Sequence, residues 1–136
     1  MIMISKAILG FFMMLMIYGC ATPYQSFELF GRGGYSDKKI DDSTFQVAFY
    51  GNHITGMETI TSLLQYRSAE LTRSNGYDYY EVLNSYGRKP LSQFGGFRSS
   101  EQTIKMYKGS PQNLSPNIFI ANKVIQDFGA FVSQQK

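Results

Sequence analysis

Apolar and polar positions follow two different periods along the chain, and each period predicts one kind of element. Apolar side chains alternate along residues 44–50 and 101–108, as in half-buried β-strands. Residues 77–83 are also predicted to form a strand, with Tyr80 and Val82 on one face and Tyr77 and Tyr79 on the other. Apolar side chains recur at helical spacing in residues 55–75 and 118–132. A short strand over residues 35–40 is predicted to pair with the first strand, and the glycine-rich residues 86–100 are predicted to form a loop.

The segment 55–75 carries the strongest helical pattern. Thr55 and Glu58 have the spacing of a capping box at its start, and Gly76 follows its end, where a left-handed residue commonly stops a helix. A single apolar stripe is predicted along it, made of Met57, Ile60, Leu63, Leu64, Ser68 and Leu71. For the second helix, Ser115-Pro116 is predicted to supply the cap and the first helical position.

The predicted order is therefore strand, helix, strand, long loop, strand, helix. This order predicts an α+β fold, in which a small, mainly antiparallel sheet carries two helices packed on one face. Within residues 101–108, Ile104 and Met106 are expected to point inward and Lys105 outward.

The start of the chain has the three parts of a secretory signal. Residues 1–6 carry one positive charge, and residues 7–19 are an uncharged, mostly apolar run of 13 positions (19 − 6) that ends at Cys20. A membrane-spanning helix needs roughly 18 apolar residues or more, whereas a signal peptide needs about 7–15. The length therefore favours a cleaved signal peptide over an anchor helix.

The sequence Ile17-Tyr18-Gly19-Cys20 has the form of a lipobox. Lipoprotein maturation requires a thiol that takes up diacylglycerol and a small residue immediately before it, and Gly19 and Cys20 supply both. We therefore predict lipidation at Cys20, with the acyl chains holding the protein on a membrane. Ala21 follows, and lipoproteins retained in the inner membrane of enteric-type bacteria carry Asp at that position. The predicted destination is therefore the outer membrane, facing the periplasm.

Three segments follow from this interpretation: a signal peptide over 1–19, a lipidated N-terminus and tether over 20–34, and a single domain over 35–136. Of the 136 residues, 136 − 19 = 117 would remain after cleavage, which is the size of one domain. The whole chain has 13 basic and 10 acidic residues, and loss of Lys6 lowers the net charge from +3 to +2. Because the basic residues form no cluster, nucleic acid is not expected as a partner.

Several short runs after Cys20 resemble a known family. They are Pro23-Tyr24-Gln25, Gly34-Tyr35-Ser36, Asp41-Asp42 with Thr44-Phe45-Gln46-Val47, Gly51-Asn52, Glu58, Tyr66-Arg67, Ala69-Glu70-Leu71-Thr72 and Gly76-Tyr77-Asp78. The chain resembles the small proteobacterial lipoproteins named after Caulobacter open reading frames, over most of residues 20–132. It departs at Ser68, where the family usually has alanine, and in residues 88–97. The resemblance implies an envelope location and a single domain, and it implies no catalytic residues, because the family has no established activity.

His53 and Asn52 are candidates for an anion or partner site. They lie between a predicted strand end and a predicted helix start, where backbone N–H groups can bind anions. The competing interpretation is that His53 is a solvated loop residue. His53 is the only histidine, and Cys20 is the only cysteine. No zinc site, cofactor or catalytic residue is therefore predicted.

Arg67 falls on the apolar stripe of the predicted helix, where a charge needs partners. Glu70 lies three residues on, and Asp78 is placed to approach from the next strand. The preferred interpretation is a structural ion pair, and the alternative is a site for an acidic ligand. Tyrosines are also dense between residues 66 and 86, as in some glycan- or peptide-binding faces, although a strand packed on two faces explains most of them.

These features predict a membrane-anchored envelope lipoprotein that is not an enzyme and acts as a binding or structural module. Its expected partners are membrane lipid, through acylated Cys20, and an envelope protein or cell-wall component. The alternative is an envelope hydrolase or a ligand sensor, with a site near His53 or near Arg67 and Glu70.

Overall fold

The computed structural model describes residues 21–28, 33–52, 54–88 and 98–136. The elements, in chain order, are β1 (Gly33–Lys39), β2 (Thr44–Gly51), α1 (Met57–Ser74), β3 (Tyr79–Arg88), β4 (Arg98–Tyr107), β5 (Ile118–Ile120) and α2 (Ala121–Ser133).

The strands form a five-stranded sheet in the order β1-β2-β4-β3-β5, and every neighbouring pair is antiparallel. With the two helices, this confirms the predicted α+β fold. In the register of β2, Phe49 lies opposite Tyr35 on β1 and opposite Ser100 on β4. Strands β3 and β4 extend well into residues 86–100, so the prediction of a loop over that whole range was wrong, and only residues 89–97 separate them. The end of β3, which contains a glycine, and the start of β4 are polar, yet they are strands because β4 hydrogen-bonds to β2 on one side and to β3 on the other.

The core lies between one face of the sheet and α1. Ile60, Leu63 and Leu64 project from α1 and are fully or almost fully buried. They meet alternate residues of the strands, and the fully buried ones among these are Val47, Phe49, Tyr80, Ile104 and Met106. The predicted inward and outward positions of β4 are confirmed, because Ile104 and Met106 are buried and Lys105 is exposed.

Helix α1 ends as predicted but does not begin as predicted. Asn75 is its C-cap, and Gly76 follows with a φ of 81°. At the start, the N-cap is Gly56, with no side-chain cap, because the Thr55 hydroxyl bonds to other groups. The predicted capping box is therefore wrong. Met57 is also not part of the buried stripe, since 37% of it is exposed.

Helix α2 begins three residues later than predicted. Residues 118–120 pair with residues 79–81 as the edge strand β5, so the predicted cap at Ser115-Pro116 is wrong. The helix starts at Ala121, whose N–H donates to the carbonyl of Asp78, the residue before β3, at 3.1 Å. It packs against α1 and β5, and its Val124 and Val132 join the core.

Candidate functional site

The segment that follows the predicted lipidation site lies on the domain. The Tyr24 N–H donates to the Gln135 carbonyl, the Tyr35 N–H to the Gln25 carbonyl and the Phe27 N–H to the Tyr35 carbonyl, each at 2.8 Å. The predicted tether over 20–34 thus includes residues with regular backbone contacts to the fold. Strand β1 begins at Gly33, two residues before the predicted start of the domain.

Thr22 is fully buried in this segment, with an exposed fraction of 0%. Its N–H donates to the Thr55 hydroxyl at 3.0 Å, and its own hydroxyl accepts from the Asn52 N–H at 2.7 Å. The Thr55 hydroxyl lies 2.9 Å from the Thr22 hydroxyl. Burial of these polar groups is tolerated because each has a partner. Thr22 is therefore bonded to the turn between β2 and α1.

Gly33 allows this close approach of the backbones. Its φ is 97°, and a Cβ built there would lie 2.1 Å from the Tyr50 carbonyl oxygen and 2.9 Å from the Thr22 methyl carbon. Only glycine fits a position with a positive φ and so little space.

Cys20 and residues 1–19 lie outside the described residues. Among the residues that are described, no helix is both long enough and apolar enough to cross a membrane.

Asn52 has a structural role in the turn before α1. Its side-chain oxygen accepts from the N–H groups of Ile54 at 3.1 Å and Thr55 at 3.0 Å. The predicted anion site would have used these backbone N–H groups to bind its ligand. In the structure they donate to the Asn52 side chain instead. His53, the other half of that prediction, lies outside the described residues.

Arg67 forms a two-pronged ion pair with Asp37, which lies on β1, 30 residues away in sequence. Its Nε lies 3.2 and 3.1 Å from the two Asp37 oxygens, and Nη2 lies 2.6 Å from Oδ2. The guanidinium carbon also lies 4.0 Å from the centre of the Tyr35 ring, a cation–π contact. Burial alone would lower the pKa of the guanidinium, but the hydrogen bonds and charge of Asp37 raise it above its ordinary value.

The predicted pairing of Arg67 with Glu70 is present, at 3.2 Å from Nη1 to Oε2. Glu70 also accepts a hydrogen bond from the Tyr24 hydroxyl of the N-terminal segment. Burial and this hydrogen bond raise the pKa of the Tyr24 phenol well above its ordinary value of 10.0. Glu70 thus connects α1 to the N-terminal segment, and Arg67 connects α1 to β1.

Asp78, the third residue predicted for this cluster, accepts from Arg73 at 2.5 Å and from the Gly109 N–H at 2.7 Å. The Gly109 N–H and the Arg73 guanidinium lower the pKa of Asp78. It therefore belongs to a separate pair at the C-terminal end of α1, and the structure does not place it with Arg67.

We call the group of Tyr24, Tyr35, Asp37, Arg67 and Glu70 the arginine cluster. An open groove of about 550 Å³ runs past it, lined by Arg67, Glu70, Arg73, Ser74 and Ile125. Because the Arg67 guanidinium already bonds to two carboxylates, the cluster is arranged to join elements of the fold.

Sequence reasoning missed three members of the arginine cluster, Tyr24, Tyr35 and Asp37. Asp37 carried a usable signal, since it shares the strand phase of Tyr35, and that phase faces the helices. Tyr24 carried none, because nothing in a proline-containing segment outside the predicted domain indicates that it folds back onto a helix.

The face of the sheet turned away from the helices carries tyrosines and charged groups. Tyr79 and Tyr107 stack across β3 and β4, with ring centres 5.2 Å apart and planes 15° from parallel. The Tyr107 hydroxyl donates to Glu81 at 3.1 Å, and Lys105 lies exposed beside it. This face offers aromatic surface and polar groups together, the combination that suits a binding surface.

Comparison of the chain with family models, curated proteins and solved structures found no match.

Proposed function

We propose that this protein is a lipid-anchored envelope lipoprotein whose mature domain is a non-enzymatic binding or structural module. The observation that carries the proposal is the lipobox of residues 17–20 at the end of a signal-like apolar run. The docking of residues 22–28 supports it, because cleavage before Cys20 would leave these contacts intact.

The first test is covalent labelling with a fatty-acid analogue in growing cells. The native protein is expected to take up the label, whereas Cys20→Ser is expected to take up none and to accumulate as precursor. A matched control moves the thiol to an exposed nearby position, in the double variant Cys20→Ser with Ser26→Cys. No label is expected there, because the lipobox context is lost. Equal labelling of Cys20→Ser would overturn the proposal.

The proposed destination is the outer membrane, facing the periplasm. Ala21, in the position where retained lipoproteins carry Asp, supports it. Density-gradient fractionation is expected to place the protein with outer-membrane markers, and Ala21→Asp is expected to move it toward the inner membrane. Native protein found wholly with inner-membrane markers would contradict this destination.

The proposed binding surface is the tyrosine-bearing face of the sheet, and its partner is an envelope protein or a cell-wall glycan. The arginine cluster is less suited to that role because its charges pair within the fold. A photo-crosslinking residue at Lys105 is expected to give one discrete adduct in intact cells. The same residue at Lys123, exposed on α2, is the control and should give none. Identical adduct patterns at both positions, or none at Lys105, would refute this surface.

A further inference from the structure

Among the described residues, Ile54 and Met57 are exposed apolar side chains at the end of the domain that holds Thr22. Ile54 is 56% exposed and Met57 is 37% exposed. Ile54 lies in the turn whose flanking residues, Asn52 and Thr55, both hydrogen-bond to Thr22. Met57 is the first residue of α1, two positions after Thr55. We call Ile54 and Met57 the apolar pair.

The predicted lipidation site precedes Thr22 by two residues, and Thr22 bonds to the turn that carries Ile54. Two residues of extended chain span at most about 7 Å, so Cys20 is within that distance of the buried Thr22. Only Ala21 separates an acylated Cys20 from a residue fixed in the fold. A short connection of this kind holds the domain at the bilayer surface with one end turned toward it.

We infer that the end of the domain bearing Thr22 lies against the lipid bilayer, with Ile54 and Met57 inserted at the boundary between headgroups and acyl chains. This inference rests on the proposed lipidation of Cys20. Apolar side chains at such a boundary are removed from water, as are those of interfacial helices, which sit roughly 5–10 Å deep. The domain thus has a second membrane contact beside its acyl chains, and that contact sets its orientation.

This orientation has a consequence for the rest of the surface. Residues Gly51 and Arg98 lie at the membrane end of the sheet, opposite each other in the register of β2 and β4. The tyrosine-bearing face runs away from that end, so Tyr79 and Tyr107 are held toward the periplasm. The proposed binding surface would then be open to a partner and not covered by lipid.

Ile40 provides a matched control for the apolar pair. It is an isoleucine with almost the same exposure as Ile54, 55% against 56%, and it follows β1 at the opposite end of the sheet. The eight residues of β2 separate the two ends by about 24 Å, at about 3.4 Å for each of seven steps. A residue of the same type and exposure thus lies beyond the reach of the membrane boundary.

The test uses lipidated, full-length mature protein reconstituted into vesicles of phosphatidylethanolamine and phosphatidylglycerol. Because Cys20 is the only cysteine and acylation consumes its thiol, Ile54→Cys, Met57→Cys and Ile40→Cys each give one reactive thiol for an environment-sensitive fluorophore. At positions 54 and 57, we expect blue-shifted emission and quenching by nitroxide-labelled lipid at least about twofold stronger than at position 40. Position 40 is expected to be quenched mainly by aqueous iodide. Added salt should change neither result, because the contact is apolar.

Two failures can be told apart. If the protein floats with the vesicles but positions 54 and 57 are as accessible to iodide as position 40, the inferred orientation is wrong and lipidation stands. If the protein carries no acyl label and does not float, the proposed lipidation fails, and the inference falls with it.

Discussion

The arginine cluster gives the sharpest test of whether Arg67 has a structural or a ligand-binding role. The perturbation is Arg67→Ala, which leaves the carboxylates of Asp37 and Glu70 without their cation. Only 17% of the Asp37 side chain and 32% of the Glu70 side chain are exposed. Water can therefore replace only part of the lost interaction.

The expected cost follows from this burial. Removing one partner of a fully buried ion pair costs about 3–5 kcal/mol, and because a fifth of the Arg67 side chain stays exposed, the lower end applies, about 3 kcal/mol. That is a large share of the roughly 5–15 kcal/mol by which domains are stable. For a domain of this size it corresponds to a fall in Tm of about 12 °C. Arg67→Lys should recover only part of the loss, because lysine cannot form the two-pronged contact.

The assay is urea unfolding of residues 21–136 at pH 7, with thermal melting as a second readout. Arg73→Ala is the control, since Arg73, in the last turn of α1, also forms a short ion pair, with Asp78 just before β3, but their side chains are 40% and 45% exposed. Exposed pairs contribute little to stability, so the control should unfold close to the native protein. A double-mutant cycle with Asp37→Ala should show a coupling of about 2 kcal/mol.

The structural role of Arg67 is refuted if Arg67→Ala unfolds no more easily than Arg73→Ala. A normal melting temperature combined with loss of crosslinking to a partner would instead indicate that Arg67 binds a ligand.

Two further predictions concern Tyr24 and Gly33. The folded-state pKa of Tyr24 is raised above 10.0, so the stability it contributes is present below pH 10 and lost as pH rises toward the folded-state value. Tyr24→Phe loses the hydrogen bond to Glu70, so its free energy of unfolding at pH 7 should lie about 1–2 kcal/mol below that of the native protein. Above pH 10 the two free energies should approach each other. A constant difference between them from pH 7 to above pH 10 would contradict this prediction. Gly33→Ala should cost more than about 2 kcal/mol, because its methyl group would overlap the Tyr50 carbonyl at a positive φ. Gly76→Ala, also at a positive φ but with open space around it, should cost less, and equal losses in urea unfolding would show that the overlap is relieved.

Local pattern was sufficient for much of the fold. The alternation in residues 44–50 and 101–108 predicted β2 and the inward side chains of β4, because a side-chain period of two is a property of the strand itself. The stripe from Ile60 to Leu71 and the glycine at position 76 predicted α1 and its end for the same kind of reason. The predicted lipobox is also a local pattern, since the chemistry it would need depends on neighbouring residues alone.

The edges of elements depended on partners that are distant in sequence. Residues 118–120 have an apolar pattern that suits a helix as well as a strand, and pairing with β3 decided for the strand. Thr55 had the spacing of a helix cap, but Thr22, 33 residues earlier, bonds to its hydroxyl. A local preference of about 1 kcal/mol gave way to a buried contact that the sequence pattern does not encode.

The candidate sites divide in the same way. The sequence placed Arg67 on a buried stripe and required a partner for it, and Glu70 could be named because helical geometry brings residues three apart together. Asp37 is 30 residues from Arg67, and Tyr24 is 46 residues from Glu70. Only the antiparallel register of β1 and the return of the N-terminal segment across the helices bring these side chains together. The tertiary structure decided those contacts, because an ion pair requires two side chains to be close in space. The number of residues between them in the sequence does not determine that distance.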